Sequence, residues 1–116
     1  MRLEVLDAAG LDTADALARL MGSEALLGRL LGKFAADENC ARLVAAAEKD
    51  DADAALEAAH ALKGVSGNLS MVRVHELTTR ACELIRAGDW PAARGLADEL
   101  GSAYSSVKAA IEACDL

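Results

Sequence analysis

Hydrophobic residues recur every three or four positions along most of the chain, which is the spacing of one face of a helix. The first such run follows Gly10, and either Asp12 or Thr13 can cap it. Its apolar positions are Leu17, Leu20 and Met21. We predict a short helix here and expect residues 1–10, which precede it, to be frayed.

A longer run begins after Ser23, which can act as an N-cap, and continues to about Lys49. Its apolar stripe comprises Leu26, Leu27, Leu30, Leu31, Phe34, Leu43, Val44 and Ala47. The polar triplet Asp37-Glu38-Asn39 interrupts the stripe and could mark a kink, but no proline demands one. We therefore predict one helix across the whole run.

Two further helices follow in quick succession. Asp50-Asp51 provides a turn and a cap for the first, whose apolar face is Ala55, Ala58, Ala59, Leu62, Val65 and Leu69. Ser70 can cap the second, which ends at Gly88 and carries Val74, Leu77, Ala81, Leu84 and Ile85. Both segments have the length and spacing of amphipathic helices.

The last run starts at Asp89-Trp90-Pro91, because the fixed φ of proline suits the first helical turn. Its apolar positions are Ala93, Leu96, Leu100, Tyr104, Val107, Ile111 and Cys114. Four long amphipathic helices joined by short polar turns predict an antiparallel up-down bundle. The fold class we predict is all-α, a four-helix bundle over residues 11–116 with a short additional N-terminal helix.

Composition agrees with this interpretation and narrows the partners. The 116 residues fit one domain, and they are 53% hydrophobic but only 3% aromatic, as in closely packed helices. A net charge of −7 disfavours nucleic acid and anionic lipid, so the expected partner is protein. No apolar run is long enough to span a membrane, and no signal peptide is evident. We expect a cytoplasmic monomer whose three widely spaced cysteines are buried thiols.

The candidate chemistry lies on the third long helix, at His60. At about 100° per residue, Gly64, Gly67 and Met71 fall within about 40° of His60, and Lys63 lies beside them. The opposite side carries Leu62, Val65 and Leu69. Because the leucine face must enter the core, the imidazole should point into solvent, where a partner can reach it.

The two glycines on this face are costly. Each destabilises a helix by roughly 1 kcal/mol relative to alanine, and a chain this rich in alanine has no stability reason to carry them. What glycine offers is space, so another protein could approach His60 closely over Gly64 and Gly67. Lys63 adds a mobile ammonium that could neutralise a phosphoryl group, and Asn68 adds a polar group on the flank.

The stretch His60-Ala61-Leu62-Lys63-Gly64, followed by Gly67 and Leu69, resembles the H-x-L-K-G signature of histidine phosphotransfer (HPt) domains. The approach to it is similar as well, through Gly22-Ser23-Glu24 and then Asp50-Asp51. The similarity covers most of residues 11–114. An exposed imidazole also suits the chemistry, since it is nucleophilic near neutral pH.

The resemblance implies a phosphorelay protein. His60 would accept a phosphoryl group from a receiver-domain aspartate or a (hybrid) histidine kinase and pass it to the receiver domain of a response regulator. Lys63 would stabilise the phosphoryl group, and the partner would dock on Gly64, Gly67, Asn68 and Met71. The protein itself would hold no cofactor, because the magnesium ion belongs to the receiver. Nothing resembles an ATP-binding loop, so we expect no autonomous kinase activity.

Two alternatives compete with this interpretation. Glu57 and His60 have the Glu-x-x-His spacing of metal sites in helical bundles, but the second copy is missing and His60 is predicted to face outward. A docking or adaptor module that binds a receiver or kinase without carrying phosphate would use the glycine face equally well. Only a module that carries phosphate would need the histidine.

Two other residues bear on the interpretation. His75 has no lysine or glycine pattern around it, and we interpret it as an ordinary, partly exposed residue. Chemotaxis kinases contain HPt domains in which a carboxylate on the next helix supports the histidine. The matching position here is Cys82, so we do not expect the substrate domain of such a kinase.

Overall fold

The computed structural model describes residues 1–114, and eight helices account for most of them. They are α1 (Leu3–Ala8), α2 (Thr13–Arg19), α3 (Glu24–Ala35), α4 (Asn39–Glu48), α5 (Ala52–Asn68), α6 (Val72–Arg86), α7 (Trp90–Arg94) and α8 (Ala97–Ala113). This part of the chain has no strand, so the predicted all-α class is confirmed. Asp115 and Leu116, at the end of the predicted domain, lie outside the described residues.

Four of these helices form the bundle. Helix α5 packs between α4 and α6, and both of those helices also contact α8, which closes a ring of four. The turns that join α4 to α5 and α5 to α6 are short, so consecutive helices run antiparallel. The four-helix bundle is therefore confirmed. The largest fully buried side chains are Phe34, Leu6, Leu27, Leu31, Leu62, Met71, Leu100, Val74 and Val107.

The predicted single helix from Ser23 to Lys49 is wrong, because the chain breaks between α3 and α4. The carboxylate of Asp37 accepts a hydrogen bond from the backbone N–H of Asn39 at 2.7 Å. The hydroxyl of Tyr104, on α8, lies 2.9 Å from the carbonyl oxygen of Phe34 and 3.0 Å from that of Asp37. The Tyr104 hydroxyl can thus donate its proton to one carbonyl oxygen at the C-terminal end of α3, in place of the N–H of a continuing helix.

The last predicted helix is also divided, but only slightly. Asp89 caps α7 and accepts a hydrogen bond from the N–H of Ala92 at 3.3 Å. Gly95 and Leu96 then separate α7 from α8 while keeping helical φ and ψ. The amphipathic stripe continues across the break, and Leu100, Val107 and Ile111 are buried as the spacing predicts.

The junction between α5 and α6 differs from the prediction that Ser70 is an N-cap. Ser70 has a φ of 53° and ends α5 in the left-handed region, and α6 starts after Met71. The Ser70 hydroxyl instead donates a hydrogen bond to the carboxylate of Asp15 at 2.5 Å, which ties this turn to α2. The N-cap residue of α6 is therefore Met71, one position later than predicted.

The first ten residues are not frayed, since they contain a helix of their own. Leu6 on α1 is fully buried, and α1 packs against α8. The carboxylate of Asp7 accepts hydrogen bonds from the backbone N–H and the hydroxyl of Thr13, at 3.0 and 2.9 Å. Asp12 caps α2, as predicted. Two short helices, instead of one, therefore precede the first long run.

The three cysteines, Cys40, Cys82 and Cys114, are buried as expected. Burial, together with the negative charge of Asp37, raises the pKa of the Cys40 thiol to about 11. Within residues 1–114, no helix is long and apolar enough to cross a membrane.

Candidate functional site

His60 lies near the middle of α5, and its side chain is exposed, as the helical spacing predicts. The core side of the same helix carries Leu62, which is fully buried, and Leu69, which is 4% exposed. Within residues 1–114 the His60 imidazole has no hydrogen-bond partner. A ring that is exposed and unpartnered can turn and present either nitrogen to an incoming group.

Lys63 follows His60 by one turn and is half-buried against α6. Burial raises the pKa of the Cys82 thiol on that helix, while the positive charges of Arg86 and Lys63 act in the opposite direction. The positive charge of Lys63 thus acts on a group of α6. No carboxylate in the described part of the chain forms an ion pair with it, which leaves its charge available to an anion beside His60.

The two glycines of the predicted docking face have different surroundings. Gly64 is exposed, and a Cβ atom added there would meet nothing within 4 Å. A Cβ atom added to Gly67 would lie 3.0 Å from Cε1 of His75 and 3.1 Å from its Nδ1. Gly64 therefore leaves open space for a partner, whereas the space at Gly67 is filled by a side chain of the protein itself.

At the C-terminal end of this face, the exposed residues differ from those predicted. Asn68 is exposed at the end of α5, whereas Met71, which we predicted to face a partner, is fully buried although it borders the groove described below. The left-handed turn at Ser70 rotates the chain, and the Met71 side chain enters the core. The next residue, Val72, is 49% exposed, so it is the apolar side chain at the surface here.

An open groove of about 690 Å³ extends from His60 along α5 to the turn at Ser70. Helix α2 borders it with Asp12, Asp15 and Arg19, and α6 borders it with Val72, His75 and Glu76. These residues come from three helices, so no periodicity in the sequence could have placed them beside His60. The residues that line the groove from α5 are His60, Lys63, Gly64, Ser66, Gly67 and Asn68.

The groove carries charges of both signs. A hydrogen bond from Ser70, and then one from Arg19, holds the pKa of the Asp15 carboxyl below its usual range, so this group is ionised at neutral pH. Arg19 pairs with Asp15 at 2.9 Å. Lys63 is the positively charged residue that follows His60 on α5, whereas the charge of Arg19, on the α2 side of the groove, is paired with Asp15.

This arrangement of side chains does not support the alternative that His60 belongs to a metal site. Within residues 1–114, no three His, Cys, Asp or Glu side chains come together in a group that could hold a metal ion. Glu57 and His60, the pair with metal-site spacing, are both exposed on α5.

A comparison with known protein families gives one match. The family model described as Hpt domain matches residues 31–110, which is more than half of the chain. The matched range includes the groove residues of α5 and α6 together with His60. Neither the search of curated proteins nor that of solved structures found a match.

Proposed function

The chain belongs to the Hpt domain family, and we propose that His60 is the residue that carries the phosphoryl group in a two-component phosphorelay. The observation that supports this most strongly is an exposed imidazole at the head of an open groove, with free space at Gly64 one turn away. A receiver domain could approach the ring there without displacing any side chain of this protein.

The proposed reaction is a direct transfer between an aspartate and an imidazole. The lone pair of the unprotonated ring nitrogen of His60 attacks the phosphorus of a receiver aspartyl phosphate. The bond between phosphorus and the aspartyl oxygen breaks, and the aspartate leaves as a carboxylate. The other ring nitrogen keeps its proton, and Lys63 balances the negative charge on the phosphoryl oxygens. The reverse step passes the group to a second receiver.

The reaction requires its partners to supply the magnesium ion and the phosphoryl group. The magnesium ion that lowers the charge of the aspartyl phosphate is supplied by the receiver, so the protein described here needs no cofactor. ATP is used upstream, by a (hybrid) histidine kinase.

The net charge of −7 favours protein partners over nucleic acid, and the protein acts in the cytoplasm as a monomer. His60, Lys63, Gly64 and Asn68 form what we call the docking face.

The experiment is phosphotransfer profiling. Each receiver domain of the source organism is phosphorylated with a labelled small-molecule donor, mixed with the protein for seconds, and separated from it. We expect rapid transfer of the label to the protein from one or a few receivers, and none to the His60→Gln variant. Lys63→Ala should transfer more slowly than the wild type but remain active, because it assists the nucleophile without replacing it.

A matched control is Lys108→Ala, which removes an exposed lysine on α8, away from the groove. It should transfer like the wild type. If receivers bind the protein but no label moves to it, the protein is a docking module and the proposed function is wrong.

A further inference from the structure

His75 on α6 packs against the space that Gly67 leaves on the neighbouring helix. Its ring lies over Gly67 of α5, where a Cβ atom would come within 3.0 Å of Cε1. A separation of 3.0 Å is tighter than nine in ten Cβ contacts, so any other residue at position 67 would require the ring to shift by a few tenths of an ångström. The cost of glycine inside α5 is thus explained at this position by a contact within the protein.

The ring is held in one tautomer. Nδ1 of His75 lies 3.2 Å from the backbone carbonyl oxygen of Lys63. Because a carbonyl oxygen can only accept, Nδ1 must carry the proton and donate it. In the neutral ring the lone pair is then on Nε2, which can accept a hydrogen bond.

Nε2 of His75, on a partly exposed ring, is left without a hydrogen-bond partner in the described part of the chain. Thr79 Oγ1 is the single buried, unpartnered side-chain polar atom among the described residues that are not exposed, so Nε2 of His75 is not completely buried. Nε2 is also 3.9 Å from the added Cβ of Gly67, farther than Nδ1 or Cε1, and the ring lines the groove below Lys63 and Gly64.

We propose that His75 belongs to the surface that receives the partner and that its Nε2 accepts a hydrogen bond from an N–H or O–H group of the receiver domain. The proposal rests on the proposed function, since it concerns the same groove. It makes His75 a determinant of specificity, because a receiver with an apolar group at this place would desolvate Nε2 and leave it unpaired.

Three variants separate this role from a purely structural one. His75→Asn keeps a donor near the position of Nδ1 but has no group near that of Nε2. His75→Gln can place its carbonyl oxygen near the position of Nε2. His75→Phe keeps a ring over Gly67 but removes both nitrogens. Circular dichroism and thermal unfolding of each variant establish that it is folded.

The measurement uses the receiver domain that transfers fastest to the wild type, in excess, in single-turnover reactions. We expect Asn and Phe to raise the receiver concentration at half-maximal rate by about 3- to 10-fold, the factor that a net hydrogen bond provides. The rate constant at saturation should stay the same, and Gln should restore most of the loss. Lys108→Ala serves as the unaffected control.

Two outcomes would overturn the inference while leaving the proposed function intact. If the Asn variant behaves like the wild type and the Gln variant does not, His75 contributes only through its hydrogen bond to the carbonyl oxygen of Lys63. If all three variants match the wild type, the ring takes no part in docking. Absence of transfer to the wild-type protein from every receiver would instead overturn the proposed function itself.

Discussion

Gly64 and Gly67 lie on one face of α5, but the structure gives them separate tasks. Gly64 faces open space beside His60, and Gly67 accommodates the ring of His75. The sequence was sufficient to recognise that both glycines are costly in a helix. It could not show whether each glycine makes room for a partner or for another side chain of the same protein. The distinction depends on His75, which belongs to a different helix.

Gly64→Ala tests the close approach of the partner. The substitution should raise the free energy of unfolding by roughly 1 kcal/mol, because alanine favours the helix. It should also slow transfer by about 10-fold, because the added methyl group obstructs the receiver where it must come nearest to His60. Urea denaturation and single-turnover transfer measure the two effects.

Gly32→Ala is the matched control for this experiment. Gly32 is also an exposed helical glycine with nothing within 4 Å of an added Cβ, but it lies on α3. It should gain similar stability and transfer at the wild-type rate. Equal transfer rates for both alanine variants would contradict the argument that Gly64 provides access.

At the scale of single helices, the sequence predicted N-cap residues correctly where the capping hydrogen bond joins residues close together in the chain. Ser23 and Asp51 cap α3 and α5 as predicted, since a cap depends on residues two or three positions away. The break after α3 depends on Tyr104, which is 70 residues from Phe34 along the chain. Ser70 likewise bonds Asp15 across 55 residues, and this turn sends Met71 into the core. Neither contact leaves a periodic signal.

Tyr104→Phe tests whether the hydroxyl stabilises the break between α3 and α4. The ring contact with Phe34, with centroids 5.1 Å apart, would be retained, so the variant removes mainly the hydrogen bond. We expect the free energy of unfolding to fall by about 1 kcal/mol. Ser106→Ala, an exposed change on the same helix, should alter it by less than about 0.5 kcal/mol. An unchanged urea midpoint for Tyr104→Phe would contradict this role.

At the scale of the whole molecule, a buried thiol makes the stability of the fold depend on pH. Burial and the nearby Asp37 raise the pKa of the Cys40 thiol from 9.0 to about 11, so the folded protein holds this proton more tightly than the unfolded chain. The resulting stabilisation is fully present below about pH 9 and is lost as the pH rises through about 11.

The free energy of unfolding should therefore fall as the pH is raised above 9. Burial also raises the pKa of Tyr104, which acts in the same direction. Cys40→Ala should be less stable at neutral pH, because it leaves a cavity, but its stability should decline less steeply in alkali. Urea denaturation between pH 7 and about pH 11 would measure both slopes. Parallel curves for the two proteins would refute the contribution of Cys40.

In the part of the chain that the structure describes, one exposed, unpartnered imidazole lies at the head of the groove, and the central claim is that this ring carries phosphate. The most direct test is to phosphorylate the protein with its receiver and locate the group by mass spectrometry, preserving it in alkali. We predict one acid-labile phosphoryl group per molecule, on His60, and none on the His60→Gln variant. A phosphoryl group on His75 or on a carboxylate, or undiminished labelling of His60→Gln, would contradict the account.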